Sequence, residues 1–380
     1  MKEFVPKRND SLDVIRIAAV FAVVMTHCTA PFVTNFQPDT AEFLWGNLLD
    51  SISRAGVPLF LMISGALFLD ERREITLKGI ICKNIKNIAV ITVVWAVLYS
   101  AVYNVVIPLT KGNAVHMETF IAGILNGYGH MWYLYMIMGI YVITPFLKKF
   151  VSKENREMVL FYILLSFAVQ FLLPTVDEIC AGNAVNWIDK FHLDFFGGYI
   201  TYYLLGWYIV HVGIPEKHLR TAAYFIGFGS FLFIVLYAQI TGDHETVYEN
   251  IGAPVCLYSA SLFLLLNNIK FSFREKTAKW MTGLSKLSFG TYIVHGPGYV
   301  QESAALRRFL PALYSPVLCG RDLRFFFRCL CHVKNSGDEE ACKNVIRFLL
   351  FISQQKAPVS PRELSVSPRI NLLALQILAS

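Results

Sequence analysis

The sequence predicts an all-α, polytopic membrane helix bundle, and three observations carry that prediction. The 380 residues are 55% hydrophobic and only 16% charged, whereas a water-soluble chain carries about a quarter charged residues, which argues against a soluble enzyme and a disordered scaffold alike. Mean hydropathy is +0.49, and apolar runs of the roughly 20 residues needed to cross a bilayer core of about 30 Å recur nine times. The lysines and arginines between those runs fall almost entirely in alternate connections.

The nine runs cover 12–34, 52–70, 87–109, 130–147, 157–174, 194–213, 221–241, 251–268 and 284–300. The first follows a charged, polar decapeptide and contains Arg16 and His27, so it is too long and too polar for a cleaved signal peptide and reads as a mature span. Of the 23 Lys and Arg between residues 1 and 298, 19 lie in alternate connections. Only Lys111 and Lys190 occupy the opposite set, while Arg16 and Arg54 lie in or at the edge of runs. Because basic residues are retained on the cytoplasmic side, the amino terminus is expected there, in a multi-pass cell (plasma) membrane protein. The outward loops are expected to hold acidic residues, among them Asp39, Glu42, Asp50 and Glu249. The basic segment 71–86 mixes Ile75, Leu77, Ile80 and Ile81 with charge, as a surface-lying helix would, and reads as a solvated loop held by anionic lipid or as a wall of a cytoplasmic substrate entrance.

Two regions follow: 1–298, a transmembrane domain, and 299–380, an atypical basic tail with four of the eight cysteines. The tail's apolar runs, 344–352 and 371–379, are each about half a span. Its Cys-Leu-Cys-His group at 329–332 lacks the second pair of ligands of a zinc site. The break in pattern predicts a change of reading frame or gene near residues 296–300. The formal net charge of +7 divides accordingly into +2 for residues 1–298 and +5 for the tail, which removes the case for a nucleic-acid partner. Cys28, Cys82, Cys180 and Cys256 lie in or beside apolar runs, where cysteine acts as a small hydrophobe. No metal is expected.

Ionisable groups inside spans mark function by default. Arg16 and His27 are eleven residues apart, so on a helix they return to within about 20° of one face, separated by about 16 Å along the axis. Arg16 either snorkels to headgroups, helped by Asp13, or faces a groove between helices. His27 is either a core histidine or a general base. Arg54, at the outer end of the second run, is placed to pair with a carboxylate or an incoming anion. His130, Trp132 and Tyr133 open the fourth run as an interfacial aromatic belt or as the lip of a sugar site. Tyr292 and His295 share one face of the ninth. A histidine, an arginine and aromatic rings at similar depth suit general-base activation of a hydroxyl, and Arg16 suits a phosphorylated donor. The rival reading is a transporter or flippase of lipid-linked sugars. No second copy of the Arg16–His27 helix accompanies it, although transporters often carry internal repeats.

These residues resemble a known pattern. SLDVIRIAAVFAVVMTH, with Arg16 and His27, is similar to the first-helix signature of acyltransferase family 3: an arginine or lysine and a histidine with ten residues between them. SRAGVPLFLMISGALF (Arg54, Phe60, Ser64, Gly65), GHMWYLYMIMGIYVITP (His130, Trp132, Tyr133) and LSFGTYIVH (Tyr292, His295) resemble its later motifs, in order, over residues 8–298. The similarity is greatest to the surface-polysaccharide O-acyltransferase branch that includes the enterobacterial common antigen O-acetyltransferase. It implies about ten transmembrane helices in the inner membrane, of which the last is expected to be lost here. It implies no bound cofactor, acyl-coenzyme A (acetyl-CoA) as co-substrate, and a small acyl group transferred to a hydroxyl of a surface or lipid-linked glycan. His27, Arg16 and Arg54 are then the expected catalytic residues, and His130, Trp132, Tyr133, Tyr292 and His295 the expected substrate-binding ones.

Overall fold

The computed structural model describes residues 10–294, apart from 111, 112, 181, 183–187, 189, 194–196, 270 and 272. All of them lie within the first of two structural units, Met1–Tyr299. His295, Lys111 and the expected 299–380 tail lie outside the described residues. Every regular element among the described residues is helical.

Helix α1, Asp10–Asn35, runs unbroken through 26 residues. Ile15, Ala19 and Val23 recur every four residues on its buried face, the spacing that keeps one side of a helix against its neighbours. Pro31 sits inside it and supplies no amide hydrogen for the His27 carbonyl, which loosens the turn just beyond the histidine. Thr40 then caps α2, Ala41–Ser53, by accepting from the Phe43 amide at 3.2 Å. After a break at Arg54 and Ala55 the chain resumes as α3, Gly56–Phe68. The break has a covalent cause: Pro58 cannot donate to the Arg54 carbonyl four residues back.

Leu77–Gly79, the π-helical Ile80–Ile85 and α4, Lys86–Ala101, follow without interruption and pass into a second π turn, Val102–Val106. Of the basic segment 71–86, residues 77–86 are helical and continuous with the third span. Next come α5, Met117–Asn126, a 3-10 turn, Gly129–Met131, and α6, Trp132–Phe150. Helices α7, Arg156–Ser166, and α8, Leu173–Cys180, are joined through a π turn, Phe167–Leu172. The remaining long elements are α9, Tyr199–His211, α10, Lys217–Thr241, α11, Ala253–Asn268, and α12, Glu275–Val294.

Seven helical segments among the described residues are long and apolar enough to cross a membrane: Asp10–Asn35, Ala41–Phe68, Leu77–Val105, Met117–Phe150, Arg156–Cys180, Lys217–Thr241 and Glu245–Asn268. The helices described within the other two expected spans do not qualify. Helix α9 has only 13 residues, and α12 carries Glu275, Lys276, Lys279 and Lys286 within its 20. The second span begins eleven residues before its expected start, because Asn47 and Asp50 interrupt the apolar run yet are fully buried in α2.

Helix α1 packs against α2, α3 and α12, and α3 packs against α9. The α3–α9 crossing brings backbone to backbone. A Cβ on Gly65 would lie 1.7 Å from the Tyr203 carbonyl oxygen, and one on Gly206 2.0 Å from that of Met62. Small residues allow this close approach, which substitutes for hydrophobic driving force inside lipid.

The basic connections converge at one end. Ser11 donates to the Ile269 carbonyl at 3.1 Å, the Lys153 amide donates to Glu71 Oε1 at 2.6 Å, and Lys148 Nζ donates to the Asp70 carbonyl. Burial alone would raise the Asp70 carboxyl, but hydrogen bonds from the Arg72 side chain and amide outweigh it and hold the group below its ordinary value. At the opposite end Gln239 donates to the Pro38 carbonyl and Tyr202 to that of Asn250.

Candidate active site

Arg16 turns into the bundle. Its Nη1 donates to Ser285 Oγ on α12 at 2.5 Å and to Asp13 Oδ1 at 3.3 Å, and Ser285 Oγ in turn donates to Asp13 Oδ1 at 2.8 Å. This closed triangle holds the guanidinium between α1 and α12. Arg16 also lies within electrostatic reach of Tyr141 and Tyr133 on α6, and Ser64 of α3 faces both of those hydroxyls. Arg16 therefore borders a polar seam shared by α1, α3, α6 and α12.

His27 is half-buried on α1. The helix is continuous between it and Arg16, so the eleven-residue spacing keeps the two on one face. Its neighbour Thr26 fixes the level at which α1 meets the break in the second span, because the Thr26 and Ser53 hydroxyls are 2.6 Å apart.

Arg54 occupies that break, near the middle of the 28-residue span Ala41–Phe68 rather than at its outer end. Its Nη2 donates to Asp50 Oδ2 at 2.6 Å, and its guanidinium carbon stands 4.1 Å from the centroid of the Tyr248 ring. Its Nε is buried without a hydrogen-bond partner among the described residues. Asp50, expected in an outward loop, is a fully buried residue of α2. The polar face continues along α2: Tyr248 donates to Asn47 Oδ1 at 2.7 Å, Ser51 to the same oxygen at 3.2 Å, and Asn47 to Gln239 Oε1 at 3.0 Å. Asp50 is the carboxylate that sequence reasoning left unidentified. The available signal was its position four residues before Arg54, the spacing of a helical ion pair.

Four of the five expected binding residues meet where α6 and the turn before it face α12. Tyr292 donates its hydroxyl to the His130 carbonyl. The Tyr133 and Tyr292 ring centroids are 5.6 Å apart, those of Trp132 and Tyr199 5.5 Å, and those of Phe60 and Tyr133 6.1 Å. These rings pack on one another, with Tyr133 and Tyr292 buried and Trp132 half-buried. Tyr99, not singled out from the sequence, stands edge-on to His130 at 5.0 Å and donates to the Ile293 carbonyl at 2.5 Å, tying α4 to α12. His295, the fifth, is outside the described residues. Among the described residues no group of three His, Cys, Asp or Glu side chains is arranged to hold a metal ion.

Seven apolar spans around this polar seam define a multi-pass membrane protein. Residues 9–310 match the model of the acyltransferase domain, family 3. The chain belongs to that family, and the class is thereby narrowed to membrane acyltransferases. No curated protein and no solved structure matches the chain.

Proposed function

We propose that this membrane acyltransferase transfers a small acyl group, acetyl, from acyl-coenzyme A to a hydroxyl of a cell-surface or lipid-linked polysaccharide. The observation that carries this reading is the unbroken helix α1. It presents Arg16 and His27 on one face, with Arg16 turned inward onto Ser285 and toward the tyrosines of α6. One groove then offers a fixed cation near the basic end of the bundle for the donor's phosphates, and a half-buried imidazole farther along for the acceptor. The distribution of basic residues supports a cytoplasmic amino terminus in the inner membrane, so the donor enters from the cytosol.

In the reaction the acceptor oxygen attacks the thioester carbonyl as His27 takes its proton. The new C–O bond forms, the C–S bond breaks, and the electron pair leaves on sulfur, which the same proton then neutralises. General-base assistance of this kind contributes about 10² to 10⁴-fold. Arg16 binds the donor's phosphate, and Arg54, whose Nε has no acceptor among the described residues, steadies charge developing on the far side of His27. His130, Trp132, Tyr133, Tyr292 and His295 contact the acceptor.

His27→Ala should abolish incorporation of radiolabelled acetyl from acetyl-CoA into surface glycan while leaving membrane insertion intact. Activity retained in that variant would remove His27 from the mechanism.

A further inference from the structure

The turn that follows α3 carries a cation that the catalytic reading does not use. The Asp70 carbonyl accepts from two donors, the Arg73 amide at 2.9 Å and Lys148 Nζ near the end of α6, so one oxygen sets the two basic residues beside each other. The Arg73 guanidinium carbon stands 4.0 Å from the centroid of the Phe68 ring, and the Phe68 and Tyr141 centroids are 4.5 Å apart. Stacking of this kind fixes the plane of a guanidinium and leaves its N–H edge for other partners. Along that edge only Nη1 is engaged, donating to the Leu67 carbonyl at 3.3 Å. Nε and Nη2 have no acceptor among the described residues, and neither is a buried atom. The half-buried Arg73 side chain therefore presents open donors at the surface.

The carboxylates nearby are already engaged. Asp70 accepts from the Arg72 side chain at 3.0 and 2.8 Å and from the Arg72 amide at 3.0 Å, and Glu71 Oε1 accepts from the Lys153 amide. Among the described residues neither Arg73 nor Lys148 belongs to an ion pair. Lys148, itself half-buried, feels Asp70 and Glu71 at longer range together with the like charge of Arg73. Two cations held this close repel each other, and an anion bound between them relieves that cost. Arg73 and Arg16 also both act on the Tyr141 hydroxyl, so the polar seam that Arg16 borders has a second guanidinium.

We propose that Arg73, with Lys148 beside it, binds phosphate of the acyl-coenzyme A donor as a second anchor to Arg16, and so sets a preference for the phosphorylated donor over a bare pantetheine thioester. The chemistry matches on both sides. Coenzyme A carries a diphosphate and a separate 3′-phosphate, enough anionic groups to engage two cations at different points. A stacked guanidinium offers the planar fork that phosphate oxygens accept from in pairs, and the ammonium adds a point charge. The inference deepens the acyltransfer reading and rests on it for the identity of the ligand as donor.

The test uses the full chain in phosphatidylcholine nanodiscs, with desulfo-coenzyme A as a probe that cannot carry an acyl group and pantetheine as its phosphate-free counterpart. Calorimetric titration should show tighter binding of desulfo-coenzyme A, and Arg73→Gln should shrink that margin about tenfold. Arg73→Lys, which keeps the charge but not the fork, should recover part of it. Lys148→Gln should shrink the margin several-fold, which covers the case of an arginine variant that fails to fold. An unchanged margin in the folded variants, or an equal loss for both probes, overturns the assignment. So does a loss confined to the binding of phosphatidylglycerol added to the nanodisc, since the cations would then hold a lipid headgroup. Arginine-dependent binding of desulfo-coenzyme A by a native chain that transfers no acyl group would instead overturn the catalytic reading and leave the phosphate site standing, so the two failures are distinguishable.

Discussion

Asp50 is a carboxylate with no exposure, and its strong partner is Arg54 Nη2 at 2.6 Å. Removing one member of such a pair strands the other in low dielectric. Arg54→Ala should therefore destabilise the protein by about 3–5 kcal/mol, whereas Asp50→Asn combined with Arg54→Gln should recover most of that loss. Thermal unfolding in detergent measures both, and an Arg54→Ala protein as stable as the native chain would deny the pair a structural role. Both residues stand in plain view in the sequence, four apart. A carboxylate ends an apolar run by any hydropathy criterion, so the sequence places Asp50 in a loop. What rescues it is pairing that hydropathy does not register: Arg54 and Ser53 donate to the carboxylate at 2.6 and 3.3 Å, and Tyr248, from far along the chain, lies over the arginine. Ser285 was out of reach for the same reason, being 269 residues from the arginine it accepts from.

Among the elements, α1 was legible because its apolar spacing, its length and its two charges all lie within one uninterrupted stretch. Helix α9 was harder. The expected run 194–213 condenses to 13 described helical residues, Tyr199–His211, and what makes α9 central is its fit to α3 rather than its own hydropathy. Trp207, Tyr202 and Tyr203 are fully buried there. Gly65→Ala should force the two backbones apart, since the added methyl would lie 1.7 Å from the Tyr203 oxygen. A cost of about 3 kcal/mol or more is expected, seen as lost monodisperse protein on size exclusion. Gly139→Ala on α6 is the control, because a Cβ there meets nothing within 4 Å. Equal yields from the two variants would show that the crossing tolerates separation.

For the molecule as a whole, the alternation of basic connections anticipated which loops would meet. The Glu71–Lys153 and Ser11–Ile269 contacts join connections that the charge pattern put on one side, and Gln239, in the last turn of α10, reaches Pro38 in a connection on the other. Single cysteines in a chain cleared of its native ones should report this directly. Glu71→Cys and Lys153→Cys should react with a membrane-impermeant maleimide only after the cytoplasm is opened. Asp39→Cys and Glu249→Cys should react in intact cells. Labelling of all four from the same side would refute the topology. The number of qualifying spans was less legible than which connections lie near one another. Charge bias depends on loops, which sequence displays, whereas a span such as Ala41–Phe68 depends on buried hydrogen bonds that pattern does not reveal.

The glycine crossing of α3 and α9 also bears on how the chain is built in the membrane. Gly65 emerges from the ribosome about 140 residues before Gly206, so the small-residue face of α3 has only lipid for company while the next several helices are synthesised. The contact thus closes only after the helices between the two have been made, and before those of α1 with α11 and α12. A nascent chain stalled before Tyr199 would hold the Arg16–His27 helix beside an α3 still missing its partner, a state a membrane quality-control protease can distinguish from the finished fold.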